Sequence, residues 1–110
     1  MKIDFNQELK TIEGDTLKRN KMLDGGTSVH VPATLKWAAI EALLSSLPEE
    51  KTSGEEKGRR YELALRIQEA AEPLDLSIED IACVKKLCDA SFAPLIVGQT
   101  RRMLEGAKTP

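Results

Sequence analysis

One histidine, two cysteines, two adjacent pairs of glutamates and the basic pairs Arg59-Arg60, Lys85-Lys86 and Arg101-Arg102 stand out in this 110-residue chain for the reactivity or charge to do chemistry. His30 stands alone in an extended stretch. A nucleophilic triad or a zinc site built on it needs acids or cysteines brought from far along the chain. It therefore reads as an exposed or hydrogen-bonded histidine. Cys83 and Cys88 fall five apart in a helical segment, about 140° around the axis and roughly 7.5 Å along it. That geometry is poor for a disulfide. No C-x-x-C or Cys/His cluster accompanies them. They read as two small, buried or half-buried free thiols, expected in a reducing compartment. Neither a G-x-x-x-x-G-K-[ST] loop nor a G-x-G-x-x-G turn is present, so Gly25-Gly26 reads as a turn rather than a phosphate cradle. Glu49-Glu50 and Glu55-Glu56 read as a solvated loop and a helix start, and EF-hand spacing is missing. Catalytic, cofactor-binding and metal-binding residues are thus all expected to be none.

The basic pairs Arg59-Arg60, Lys85-Lys86 and Arg101-Arg102 raise a second chemistry. Two helices flanking the turn Ala90-Ser91-Phe92-Ala93 suggest a helix-turn-helix, with Gln99, Arg101 and Arg102 reaching a DNA groove. The fit is poor, because the first turn of that recognition helix would be Leu95-Ile96-Val97, a run better explained as core. The net charge of −2 also argues against general binding to a phosphate backbone. The residues suited to a protein partner are Trp37 and Tyr61, side-chain types that dominate interface hot spots. Trp37, Tyr61, Arg101 and Arg102 are therefore the candidate partner contacts. The main expectation is a protein partner or self-association, and nucleic acid is the minor one.

These groups must be positioned by a chain whose hydrophobic share is 41 % and whose aromatic share is 4 %, so aliphatic residues fill the core. The length fits one domain, 1–110, with a β-rich or irregular segment at 1–32 and a helical part at 34–106. No apolar run is long enough to span a bilayer, and Met1–Asn6 has no signal-peptide core. A cytoplasmic protein without a membrane segment is expected.

Met1, Ile3 and Phe5 alternate with polar residues, a short strand signal. Glu13-Gly14-Asp15 between Lys10-Thr11-Ile12 and Thr16-Leu17-Lys18 predicts a hairpin. Asp24-Gly25-Gly26 is a second break, followed by a few extended residues at Ser28-Val29-His30-Val31. A two-stranded hairpin is marginal alone, so it must pack on the helices. An edge hairpin of this kind can also add a strand to a partner.

The first helix is predicted over about 35–47, capped by Thr34 and ended by Pro48, with Trp37, Ile40, Leu44 and Leu47 on its apolar face and Leu43 and Ala39 widening it. The second opens on the capping box Ser53-Gly54-Glu55-Glu56 and stops before Pro73. Tyr61, Ala64, Leu65 and Gln68 lie along one side, with Ile67 and Ala71 beside them, and Glu55–Arg59, Glu56–Arg60 and Glu62–Arg66 form i,i+4 pairs. The third opens on Ser77-Ile78-Glu79-Asp80 and buries Ile81, Val84 and Cys88, with Ile78 and Leu87 beside them. The fourth starts at Pro94 and ends near Gly106, and Ala107–Pro110 should fray. The fold class is α+β, mainly α: an N-terminal β-hairpin packed on a four-helix array.

Three stretches also resemble a known group. Arg60-Tyr61-Glu62-Leu63-Ala64, the run Leu76 to Leu87 and Pro94-Leu95-Ile96-Val97-Gly98-Gln99, with Lys2-Ile3-Asp4-Phe5 ahead of them, look like a family of small uncharacterised proteins encoded by tailed phages and prophages of bacteria. The resemblance spans most of the chain. Its motifs are helix caps and core residues, and no catalytic residues are carried over. It implies a bacterial cytoplasm and a non-enzymatic accessory role in the phage cycle, such as assembly. The alternative is a small DNA-binding transcriptional regulator.

Overall fold

The computed structural model describes residues 1–45 and 51–106. The element order is β1 (Lys2–Ile3), β2 (Lys18–Met22), β3 (Ser28–Pro32), α1 (Leu35–Leu44), α2 (Gly54–Glu69), β4 (Leu74–Asp75), α3 (Ile78–Ser91) and α4 (Pro94–Leu104). The fold is α+β and mainly α. Its strands form two separate antiparallel pairs, β1 with β4 and β2 with β3.

Local signals set the helix starts. Ser53 Oγ accepts from Glu56 N at 3.1 Å and Ser77 Oγ from Asp80 N at 3.1 Å. Pro94 occupies the first turn of α4, and Gly106, at φ +68°, follows its C-cap Glu105. The start of α1 is capped by more than Thr34. The first amides of a helix lack intrahelical partners. Trp37 N takes Thr34 Oγ1, while Leu35 N donates to Gln7 O at 2.9 Å and Lys36 N to Phe5 O at 2.8 Å. The N-terminal segment is thereby fastened to α1 before the helix begins its own ladder.

The core departs from the predicted faces in α1 and α2. In α1 the buried residues are Leu35, Ala38, Ala39, Ala42 and Leu43, whereas Leu44 is 54 % exposed. This stripe has i, i+3, i+4, i+7, i+8 spacing, but three of its five members are alanines. Ala39 and Leu43 belong to the predicted face as well, but that face centres on the larger Trp37, Ile40 and Leu44 and so lies to one side of this stripe. The helix ends at Leu44 with Ser45 as C-cap, earlier than predicted. Leu47, Pro48 and Glu49-Glu50 lie outside the described residues, as does the predicted fraying of Ala107–Pro110. In α2 the inward face is Arg60, Leu63, Ala64 and Ile67; Ala64 and Ile67 lie there as expected, whereas Tyr61 is 53 % exposed and Leu65 36 %. In α3, Ile81, Val84, Leu87 and Cys88 are buried, but Ile78 is 82 % exposed at the first turn.

The main core joins Ile3 and Phe5 to all four helices. A second, smaller cluster gathers Leu9, Ala33 and Ala38 with Leu17, Trp37 and Ile96. Phe92 and Met103 pack on both and weld them together.

The predicted hairpin around Gly14, at φ +97°, forms as a short one: the bridge Lys10 to Thr16 lies between the backbone bonds Thr11 N to Asp15 O at 2.7 Å and Leu17 N to Leu9 O at 2.9 Å. The longer paired strands are β2 and β3, around Asp24-Gly25-Gly26. The unforeseen partner of β1 is β4, with Ile3 opposite Leu74 and Lys2 opposite Asp75.

Candidate interaction surface

The β2–β3 ribbon is fixed at its base and open beyond it. At the base, three residues from three segments exchange backbone hydrogen bonds in a ring. Leu9 N donates to Ala33 O at 2.8 Å, Ala33 N to Leu17 O at 2.7 Å and Leu17 N to Leu9 O at 2.9 Å. Leu9 and Ala33 are fully enclosed there. Two residues further out, the Arg19 guanidinium lies over the Trp37 ring, 5.6 Å from its centroid. Trp37 in turn meets Phe92 at 5.6 Å and a 46° tilt. Arg19 Nε is shielded from water with no hydrogen-bond partner among the described residues, so the ring face is what receives this cation.

Beyond the stack, every residue from 21 to 30 is exposed. The tip turns on Gly25 and Gly26, at φ +91° and +86°, conformations an L side chain rarely adopts. Leu23 N closes the loop on Thr27 O at 2.7 Å. The register pairs Arg19 with Val31, Asn20 with His30 and Lys21 with Val29. Backbone groups alternate direction along a strand. Since Leu23–Thr27 and Leu17–Ala33 are hydrogen-bonded, the pairs 19–31 and 21–29 bond across the ribbon. Lys18, Asn20 and Met22 then turn their N–H and C=O groups outward on the β2 side. Ser28, His30 and Pro32 do so on the β3 side, where Pro32 has no N–H to offer.

The sequence-predicted contact residues are not brought together. Trp37 is half-buried between Arg19 and Phe92 and acts as a support for the ribbon. Tyr61 lies on the outer face of α2 and belongs to neither core cluster. Arg101 is clamped by Asp89, Nε to Oδ1 at 3.0 Å and Nη2 to Oδ2 at 2.6 Å, which pushes its pKa further up. Arg102 is exposed beside Ile12 and Leu95 and forms no ion pair among the described residues. Gln99 does not point to a groove. Its amide accepts from Lys10 N at 2.6 Å and donates to Lys10 O at 2.8 Å, tying the N-terminal loop to α4. His30 is exposed on β3, opposite Asn20.

The densest charge cluster joins the starts of α2 and α3. Arg59 bonds Glu56 at 3.2 Å and Asp80 at 3.1 Å, and Arg66 Nη1 lies 3.7 Å from Asp80. Two of the predicted i,i+4 pairs are thereby redirected: Arg59 and Arg66 turn across to α3 because Asp80 is within reach of both. Glu56–Arg60 forms as predicted, at 3.5 Å. The Glu56 hydrogen bond holds the Arg59 pKa above its usual range. Cys83 sits beside this cluster, half-buried, and burial raises its thiol pKa despite the nearby Arg59. Burial pushes Cys88 up to about 12. Both cysteines are free thiols and both are held protonated, the opposite of an activated nucleophile.

Among the described residues, no group of three or more His, Cys, Asp or Glu side chains is placed to hold a metal ion, and no helix is long and apolar enough to cross a membrane. The ribbon is partly legible in the sequence: the Gly-Gly break and the alternating Ser28-Val29-His30-Val31 mark the turn and β3, whereas Lys18–Met22 carries no apolar–polar alternation to mark β2. A scan of protein-family models and searches of curated proteins and of solved structures found no match to this chain.

Proposed function

We propose that this protein is a non-enzymatic interaction module, and that the β2–β3 ribbon is the element that engages its protein partner. The observation that carries this reading is the exposure of all residues 21–30 on a ribbon whose base is built into the fold. An isolated two-stranded ribbon is marginal in water. Here its root is reinforced by the Leu9–Leu17–Ala33 ring and the Arg19–Trp37–Phe92 stack, while its outer half carries exposed Met22, Leu23 and Val29. A rigid root under an exposed, partly apolar arm suits docking on another chain. The high thiol pKa values add no support for a nucleophilic role. The resemblance to small proteins of tailed phages supplies the context: an accessory factor in the bacterial cytoplasm, acting in assembly.

The test shortens the ribbon. Residues 20–30 are replaced by Asn-Gly, a two-residue turn that fits the hydrogen-bonded pair Arg19–Val31. The full and shortened proteins, each tagged, are recovered from cells in which the phage cycle is induced. A virion component held in stoichiometric amount by the full protein and lost by the shortened one, at unchanged helical content, is the expected result. Retention of that component by the shortened protein would overturn the reading.

A further inference from the structure

We infer that the outer edge of β2 receives an extended, acidic segment of the partner protein, which adds to the ribbon as a third strand; this inference rests on the ribbon being the interaction element.

The choice of edge follows from hydrogen-bond supply. On β2, Lys18, Asn20 and Met22 turn three N–H and three C=O groups outward, and all three residues are exposed. No backbone hydrogen bond occupies them among the described residues. On β3 the third outward residue is Pro32, so that edge offers one donor fewer. A strand added to β2 makes a complete ladder, and one added to β3 does not.

The chemistry of the occupant follows from charge. Lys18, Arg19 and Lys21 lie within four residues on β2, and none has an acidic partner among the described residues. Asp24 at the tip is the only acid between 18 and 32. Side chains directly opposite on neighbouring strands sit on the same face and interact. Positions opposite Arg19 and Lys21 are two apart in the incoming strand, so acids at alternate positions meet both cations. An acid opposite Lys18 falls on the other face.

The same arithmetic disfavours the two other occupants. A second copy pairing antiparallel through β2 about a twofold axis must centre near Arg19, Asn20 or Lys21. Those registers place Arg19 on Arg19, Arg19 on Lys21, or Lys21 on Lys21, and like charges directly opposite are destabilising. Nucleic acid would meet the rest of the chain, which carries 13 basic against 17 acidic residues, and backbone binding wants the reverse.

A yeast-displayed library of random heptapeptides, selected against the full protein, tests the inference. Selected peptides are expected to carry Asp or Glu two positions apart, and synthetic copies to slow amide exchange at Lys18, Asn20 and Met22. Lys21→Glu should weaken their binding about fivefold. Asn20→Pro removes an outward N–H and no ladder bond, so it should reduce binding at least about tenfold. Thermal unfolding confirms that each variant is folded. An unenriched library, selected peptides without acids, or binding that survives both substitutions overturns the inference. So does salt-sensitive binding of a 20-base-pair duplex in place of peptide, or a dimer assembled through β2. If the shortened protein loses its cellular partner but no acidic strand is selected, this inference fails and the interaction reading stands. If the shortened protein keeps its partner, that reading fails whatever the library yields.

Discussion

Replacing Leu9 by alanine should destabilise the protein by about 3–4 kcal/mol. Leu9 is 0 % exposed and sits at the centre of the smaller core cluster. The substitution removes three carbons, worth roughly 2.4 kcal/mol at about 0.8 kcal/mol per buried methylene. A cavity term adds to this where the surroundings cannot close in, and buried Leu→Ala changes cost roughly 2.7–5 kcal/mol in all. Collapse is restricted here. The nearest fully buried neighbours, Ala33 and Ala38, have no length to reach inward, and the backbone of Leu9 is held by its bonds to Ala33 and Leu17. Against a total stability of about 5–15 kcal/mol, such a loss is readily measured. Urea unfolding followed by the fluorescence of the single tryptophan, Trp37, is the assay, since that ring belongs to the same cluster. With a slope of about 1.5–2 kcal/mol/M, the midpoint should fall by about 2 M. Ile12→Ala, at a side chain 89 % exposed, is the control and should stay within about 0.5 kcal/mol. A loss below about 1 kcal/mol for Leu9→Ala would show that the ribbon root is not a packed core.

Five other outcomes follow from contacts elsewhere in the fold. Ser53→Ala and Ser77→Ala each remove a hydroxyl that accepts a 3.1 Å bond at a helix start, so each should cost about 1 kcal/mol in urea unfolding. Gln99→Ala leaves both backbone groups of Lys10 without their side-chain partner and should cost about 1 kcal/mol, with faster amide exchange at Lys10. Arg101→Ala removes an exposed pair with Asp89 and should change stability by less than about 1 kcal/mol, leaving duplex DNA binding undetectable before and after. The Glu105 carboxylate is held below its ordinary range by the Lys85 hydrogen bond. That contribution is present above the ordinary carboxylate pKa and fades as pH falls through the lowered folded value, so Glu105→Gln should flatten the acid limb of the stability–pH curve slightly. Finally, the burial that raises both thiols should make Cys83 and Cys88 react with iodoacetamide at pH 8 at least about tenfold more slowly in the folded protein than in urea.

Where one residue carries its own signal, the sequence was sufficient. Ser53, Ser77, Pro94 and Gly106 mark helix ends through local chemistry, and each occupies the predicted position. Faces were harder, because they depend on what packs opposite. The α1 stripe is built on Ala38, Ala39 and Ala42, whose small size lets other elements approach closely, and of these the apolar pattern centred on Trp37, Ile40 and Leu44 includes Ala39 alone. The pairing of Ile3 with Leu74 joins positions 71 apart, and no local pattern encodes that. Trp37, Tyr61 and Arg101 show that side-chain type does not tell where a fold places a residue: the first is half-buried under Arg19, the second is exposed and the third is clamped by Asp89. The turn at Gly25-Gly26 and the extended Ser28–Val31 carry their own signals, but β2 does not: Lys18-Arg19-Asn20-Lys21 buries neither face and so lacks the alternation by which a strand is recognised.

Amide hydrogen exchange in the free protein, read residue by residue by NMR, tests the open β2 edge most directly. Arg19, Lys21, Val29 and Val31 should be protected at least about tenfold relative to the unfolded chain, whereas Lys18, Asn20 and Met22 exchange near the unfolded rate. Protection at Lys18, Asn20 and Met22 in the free protein would mean that the edge is already occupied and would contradict the account.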